Sequence, residues 1–452
     1  MKFREKLEMR VKSIIYHSDI FYFILINGSN FIFSYLTIAI IQTKYEDIEL
    51  VQYSTLILFS FIATLLDFGN ANNLQNKGPR YFNKFGSKLS NNVFNYILIE
   101  NTIYVIPILA IISLFVNKVI ILSLIFGLTS QYIIIQQNIS IINNKIQKFT
   151  IHYVLLNTIK ILLLLFLEMN FVNIIYLWIL SNSIHIILNI SQLKTSCPDK
   201  NTRQIFNRWT FKYRIDQLIL ALLNITIWST DRLILLLEKN SEKLVSYTLA
   251  FTAAGLISAI VQPFYKYYIS HFRRIGKYNI ADIIQFTTII DCLLIFFIII
   301  QFTFGELLFE IWLGHSNTEL LNTYNILILI GFLISKTWFI SGRHQLLNTT
   351  FTYNRMMVFS IVTSGLIAVY GVLNNQFWPF TIWLLYSTFI NVWDFITLFK
   401  NKFISINYVL NILLFIALIP TILYHQKYLL IPIIGLLTFN SLSWLKKITL
   451  RY

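Results

Sequence analysis

Residues 244–304 read LVSYTLAFTAAGLISAIVQPFYKYYISHFRRIGKYNIADIIQFTTIIDCLLIFFIIIQFTF. Two apolar runs, 244–268 and 281–304, are parted by a short break that carries Arg273, Arg274 and Lys277. A helix crosses a hydrocarbon layer of roughly 30 Å with about 20 apolar residues, and each run meets that length. Barrel strands would be shorter and would alternate with period two, which these runs do not. The stretch therefore reads as two membrane-spanning helices joined by a basic turn.

The same pattern extends in both directions. Fourteen apolar spans fall near 19–41, 48–67, 93–116, 118–140, 149–168, 171–191, 215–237, 244–268, 281–304, 322–342, 355–374, 377–398, 405–424 and 428–446. The chain of 452 residues is 56% hydrophobic and 12% charged, too apolar for a water-soluble fold of this size. Basic residues sort by side: with the N-terminus on the cytoplasmic face, 27 of the 36 Lys and Arg lie in cytoplasmic segments. Five lie outside, at Lys44, Lys118, Lys239, Lys243 and Lys427. That bias predicts a multi-pass protein with both termini cytoplasmic. The net charge of +16 is thus a topology signal with some attraction to anionic lipids, and nucleic acid is not an expected partner. The first apolar run is too long for a cleavable signal and lacks a small-residue cleavage site, so it reads as an uncleaved anchor. Cys197 and Cys292 lie in a cytoplasmic loop and a span, so no disulfide is expected.

The longest cytoplasmic connection, 192–214, divides the spans six and eight. Leu50-Val51-Gln52-Tyr53 opens span 2, and Leu244-Val245-Ser246-Tyr247 opens span 8 at an offset of 194 residues. Six spans separate the two halves, so both start on one side, which defines a parallel repeat. The expected fold is an all-α polytopic membrane protein of about 14 transmembrane helices, with two six-helix lobes around a central cavity. The expected divisions are 1–214 and 215–400 for the lobes, with 401–452 as an appended helix pair. The outside segment 305–321 is expected to form a short interfacial helix with Trp312 at headgroup depth. Pro107, Pro263, Pro420 and Pro432 fall inside spans, and Pro263 is the preferred hinge.

Polar stripes mark the candidate site. Asn27, Asn30, Ser34 and Thr37 share one face of span 1, and the repeat offset lays the last three on Asn224, Trp228 and Asp231 of span 7. Charges inside spans are the sharper signal, since each costs about 2.5–3.5 kcal/mol at mid-bilayer. Lys160, Asp231, Arg232, Asp291 and Lys336 lie deep, and Glu100 lies in the inner third of span 3. Lys266 and Asp394 lie near cytoplasmic ends, where snorkelling is expected. Cations in a cavity suit an anionic headgroup, and structural ion pairing is the competing reading. His152 and His185 read as packing residues. No His or Cys pair has metal-ligand spacing. No Gly-x-Ser-x-Gly motif is present, no sizeable outside loop bearing acids or arginines exists beyond 305–321, and no outside loop carries Arg, so an enzyme is not expected.

Several segments together resemble the polysaccharide flippases, the O-antigen (Wzx-type) transporters, of the multidrug/oligosaccharidyl-lipid/polysaccharide exporter superfamily. They are Leu65-Leu66-Asp67-Phe68-Gly69, Asp231-Arg232-Leu233-Ile234-Leu235, Tyr247-Thr248-Leu249-Ala250 through Gln262-Pro263-Phe264, and Leu308-Phe309-Glu310-Ile311-Trp312-Leu313-Gly314. The resemblance spans roughly 15–400 and rests on order and spacing. It implies alternating access in the bacterial cytoplasmic (inner) membrane and a polyprenyl-pyrophosphate-linked glycan as cargo. Carried onto this chain, it puts Asp231 and Arg232 foremost among the cavity residues. On this reading Asn30, Lys160, Asn224, Trp228, Asp231, Arg232 and Lys336 bind substrate. Glu100, Asp231 and Asp291 are the candidates for coupling to a proton or sodium ion, and no other cofactor is expected. Membrane lipids and other polysaccharide-assembly proteins are the expected partners. Spans 1 and 2 lack the basic residues of lipid II flippases, which disfavours a peptidoglycan precursor. A cation-coupled multidrug antiporter of the same superfamily is the alternative, and a membrane glycan polymerase is a more distant one.

Overall fold

The computed structural model describes residues 2–45, 47–63, 103–142, 145–167, 169–192, 229–236, 241–275, 280–314, 318–347, 349–374, 380–401 and 406–423, with a few single positions between them. Side chains of the first helix are described from Phe21 onward. Eleven long helices are described: α1 (Lys2–Lys44), α2 (Asp47–Ile62), α3 (Lys118–Ile142), α4 (Ile146–Phe166), α5 (Phe171–Gln192), α6 (Ser241–Ile275), α7 (Ile280–Leu313), α8 (Thr318–Leu346), α9 (Thr350–Leu373), α10 (Thr381–Lys400) and α11 (Ile406–Leu423). Among the described residues there is no strand. Nine of the described helices are long and apolar enough to cross a membrane, and three shorter apolar ones begin at Ile48, Ile103 and Tyr408. These twelve fall on twelve of the fourteen predicted spans. Span 7 is described only at 222–223 and its outer end, 229–236, and span 14 lies almost wholly outside the described residues.

Helices are the form that lets such segments satisfy their backbone in hydrocarbon. Their hydroxyls follow the same rule by bonding back to the preceding turn. Ser54 donates to the Leu50 carbonyl at 2.9 Å, Thr150 to Ile146 at 2.8 Å and Ser335 to Gly331 at 2.7 Å. At the end of α4 the free carbonyls are met from α1. Lys44 Nζ donates to the Leu165 carbonyl at 2.9 Å and the Leu167 carbonyl at 3.3 Å, a cation placed where the helix dipole favours it.

The chain divides into two compact units, Met1–Leu244 and Val245–Tyr452. In the first, α2 packs on α3, α1 on α4, and α5 on both α3 and α4. Gly127 makes the α2–α3 contact close. A Cβ there would stand 2.6 Å from Ser60 Cα, the Ser60 carbonyl and Ala63 Cβ, so only glycine fits. In the second unit, α10 packs on α8 and α9, α7 on α8, and α11 on α7 and α8. The neighbour relations of α3, α4 and α5 recur in α8, α9 and α10, their counterparts under the repeat, and Asp47 and Ser241 open α2 and α6 at the 194-residue offset. The described member of the 401–452 pair, α11, is fastened by Asn411, which donates to the Thr288 carbonyl at 2.9 Å, and by the stacking of Phe415 on Phe332.

The expectation of a separate interfacial helix is corrected. Residues 305–313 are the continuation of α7, not a separate interfacial helix. The helical period runs unbroken until Gly314, whose φ of 74° ends it. Trp312 is accordingly buried, stacked on Phe309, whose ring in turn meets Tyr324 of α8 edge-on at 5.1 Å. Helix α6 stays helical through Pro263.

Candidate functional site

In the first unit Lys160 projects from the buried face of α4 and is only 4% exposed. Its Nζ stands 5.5 Å from the centroid of Phe33 on α1 and 5.4 Å from that of Phe126 on α3. Among the described residues it has no carboxylate and no hydrogen-bond acceptor. The reason lies in the sequence: from Phe21 to Lys44, and throughout α3, α4 and α5, there is no Asp or Glu. Two cation–π contacts offset the cost of burial by about 1–2 kcal/mol each at best, against about 2.5–3.5 kcal/mol for insertion alone. The rings therefore offset much of the insertion cost but supply no counter-charge.

The rings around Lys160 belong to a longer aromatic cluster. Trp178 of α5 contacts Phe33 at 5.1 Å, Phe126 at 6.0 Å and Phe171 at 5.9 Å, and Phe171 contacts Tyr53 of α2 at 6.2 Å. Trp178 Nε1 donates to the Lys160 carbonyl at 3.2 Å, which fixes the indole. Arg232, 1% exposed, lies within electrostatic reach of Tyr53, and its guanidinium carbon is 5.9 Å from the Phe61 ring centroid. Asp231 beside it is equally buried. Two of the predicted cations, Lys160 and Arg232, are therefore both tied to the aromatic interior of one unit.

Asn30 accepts from the Tyr153 hydroxyl at 2.6 Å and from Asn157 Nδ2 at 3.1 Å, while Asn157 also donates to Ser29 at 2.8 Å. The polar stripe of span 1 thus meets a matching stripe on α4, one turn before Lys160. Sequence reasoning singles out neither Asn157 nor the aromatic rings. The signal for Asn157 is present, since it lies three residues before Lys160 on the same face.

In the second unit the cation is neutralised. Lys336 of α8 forms an ion pair with Asp291 of α7 at 3.0 Å, both buried. The ammonium also stands 4.8 Å from the Tyr408 ring centroid on α11. Cys292, next to Asp291, donates its thiol to Asn411 Oδ1 at 3.2 Å. Asp291 and Lys336 are almost equidistant from Gly314, so an antiparallel α7–α8 pair brings them to one depth.

Asp394 departs from expectation. It does not snorkel: it is 2% exposed and ion-paired with Arg343. Span length alone leaves Arg343 in a loop, but α8 continues through it to Leu346. Next to the pair, His344 stacks on Trp393 at 5.4 Å. Among the described residues no group of three or more His, Cys, Asp and Glu could hold a metal ion. Asn224, Trp228, Glu100 and the side chain of Lys266 lie outside the described residues.

No protein-family model matches the chain, and no curated protein matches it by sequence. Solved structures do. A mutant of the Vibrio cholerae MATE transporter VcmN aligns over 87% of this chain and 98% of its own, with 13% identity and a TM-score of 0.61. An inward-facing multidrug resistance MATE family transporter of the MOP superfamily aligns over 90% and 98%, with 14% identity and a TM-score of 0.56. A MOP superfamily transporter from Pyrococcus furiosus aligns over 89% and 96%, with 10% identity and a TM-score of 0.51. At these identities the likeness is one of fold. The chain is an all-α, multi-pass membrane protein with the fold of the MATE transporters of the MOP superfamily.

Proposed function

We propose that this chain is a MOP-superfamily transporter that flips a polyprenyl-pyrophosphate-linked oligosaccharide from the inner to the outer leaflet of the bacterial cytoplasmic membrane by alternating access. The product would feed a surface polysaccharide. One observation carries the reading: Lys160 is a buried ammonium whose four surrounding helices bring no acid among their described side chains. A buried cation without a counter-ion among the described residues suits an anionic ligand. At an effective dielectric near 20, one cation about 6 Å from one phosphate charge contributes roughly 3 kcal/mol. Arg232 would add a second attraction. Lys336 becomes a scaffold residue in this account, because Asp291 already neutralises it.

Direction favours export. Two negative charges moved outward through about 100 mV, inside negative, go downhill by about 4–5 kcal/mol. Both termini would be cytoplasmic, and other polysaccharide-assembly proteins would take over the product. The test is complementation of a strain lacking the gene. Lys160→Ala and Arg232→Ala are expected to abolish surface glycan while the protein remains in the membrane, and normal glycan from both would refute the reading.

A cation-coupled multidrug antiporter is the second reading, supported by the MATE transporters among the structural neighbours. Cationic drugs would favour acids around the site, and the described side chains of the helices around Lys160 supply none. The Pyrococcus furiosus neighbour is described by a reverse polarity of its binding pocket that suggests a different function, so pocket polarity is a variable of this fold. Drug susceptibility with and without the gene separates the readings.

A further inference from the structure

Lys160 is covered, and the two rings that cover it are held in different ways. Its ammonium stands against Phe33 of α1 and Phe126 of α3. Both rings also touch Trp178, which is fully buried and bonded to the Lys160 carbonyl. With so little of the lysine reachable, a headgroup gains contact with the ammonium only when a neighbour gives way. Phe126 is poorly placed to do so. It precedes Gly127, where α3 meets the backbone of α2 at Ser60 too closely for any side chain. Helix α3 also packs on α4 and α5, and beyond Lys118 its described side chains leave only Ile134 exposed. A helix closed in on that many sides by a close-packed interior does not shift cheaply.

Phe33 is placed otherwise. Helix α1 packs chiefly on α4, and away from α4 it leaves Ile24, Leu25, Ile32 and Leu36 exposed. What fixes Phe33 over the lysine is the polar clamp one turn earlier. Asn157 Nδ2 donates to Ser29 Oγ at 2.8 Å and to Asn30 Oδ1 at 3.1 Å, and the Tyr153 hydroxyl donates to Asn30 Oδ1 at 2.6 Å. Asn30 and Asn157 are 127 residues apart, and so are Phe33 and Lys160. One register of two parallel helices therefore sets both contacts. The clamp is made of side-chain hydrogen bonds, each of modest net strength between membrane helices, and the ring it positions attracts an ammonium less than a phosphate does.

We propose that Phe33 is a movable shutter over Lys160, held shut by the clamp of Asn30, Asn157 and Tyr153, which yields its place to the anionic headgroup of the cargo while Phe126 and Trp178 remain as fixed walls. The proposal rests on the anionic-cargo reading above. Only the uncovered form binds, so the affinity for cargo is lowered by the fraction of protein that is covered. Asn157 is then a positioning residue: it sets how tightly cargo binds without touching it. Asn30 acts in the same way, through the clamp.

The test uses the full-length protein in nanodiscs, with farnesyl pyrophosphate as the probe and its affinity as the readout. Phe33→Ala and, separately, Asn157→Leu are expected to bind the probe about two- to tenfold more tightly than the wild type, the factor that one lost hydrogen bond or cation–π contact represents. Phe126→Ala should gain nothing, because Phe33 still has to yield. A merely structural role would weaken binding or leave it unchanged, so the rise is the signature. A reversible lock supplies the second measurement: Asn30→Cys with Asn157→Cys, in a Cys197→Ser background, oxidised to a disulfide. Oxidation is expected to weaken binding by about tenfold or more, and reduction to restore it. If a single variant fails to accumulate, the lock decides. Phe33→Ala and Asn157→Leu binding no tighter than the wild type, an equal rise in Phe126→Ala, or equal binding by the oxidised and reduced lock overturns the shutter and leaves the cargo reading standing. No binding by the wild type, or unchanged binding in Lys160→Ala, overturns both.

Discussion

Lys160 in the first unit and Lys336 in the second pose the same physical problem and resolve it differently. Each is an ammonium buried in a segment that crosses the membrane. Lys336 has Asp291 at 3.0 Å and the Tyr408 ring on its other side. Among the described residues Lys160 has rings, at 5.4 and 5.5 Å, and four helices whose described side chains include no acid. A charge closed by its counter-ion is part of the scaffold. A charge without a described counter-ion is, on the proposed function, available to something that is not protein. The contrast separates residues that a list of intramembrane charges treats alike.

The largest expected effect of breaking this contrast is functional. Replacing Lys160 by Met removes an open cation, and export should drop by about a hundredfold, the equivalent of about 3 kcal/mol. The same variant should melt no lower than the wild type, because no acid or hydrogen-bond acceptor among the described residues is orphaned. Calibrated thermal melts in detergent, run beside a glycan-export assay, check both halves. In the second unit the order reverses. Asp291→Asn strands Lys336 and is expected to destabilise by about 3–5 kcal/mol, seen as a lower melting temperature or poor accumulation. Adding Lys336→Met to Asp291→Asn should recover most of that loss, since an apolar replacement of both partners is often neutral.

Two smaller effects sharpen the contrast by testing the frames around each cation. Gly127→Ala forces α3 away from the backbone of Ser60, which is expected to cost about 1–3 kcal/mol. Tyr408→Leu removes a ring from above Lys336 and should cost about 1 kcal/mol with transport unchanged. A Tyr408→Leu protein that folds but does not transport would contradict the assignment of Lys336 to the scaffold.

The span pattern was legible in sequence because hydrocarbon imposes a length and a side on every helix. Twelve apolar helices stand where runs of apolar residues predicted them. The failures occurred where the deciding contact is remote in sequence. Residues 305–313 have interfacial composition, yet nothing in them breaks a helix, and Trp312 is buried against Phe309, whose ring meets Tyr324. Asp394 looked able to reach water from its helix end, but Arg343, 51 residues away, pairs with it inside. Periodicity gives the face of a residue and not its partner across the bundle. For Asp291 and Lys336 the hairpin about Gly314 would have supplied the partner. For Phe33, Phe126 and Trp178, drawn from three helices in a chain that is 16% aromatic, no sequence signal distinguishes the rings at the site from the rest.

The most direct test compares Lys160→Gln with Lys160→Arg in a strain lacking the chromosomal gene. The readout is the amount of lipid-linked glycan intermediate retained on the cytoplasmic face of the membrane. Lys160→Gln should accumulate the intermediate as the empty strain does, while Lys160→Arg, which keeps the charge, should clear most of it. Clearance by Lys160→Gln equal to the wild type, with the protein present at normal levels, would contradict the claim that an open buried cation serves an anionic cargo.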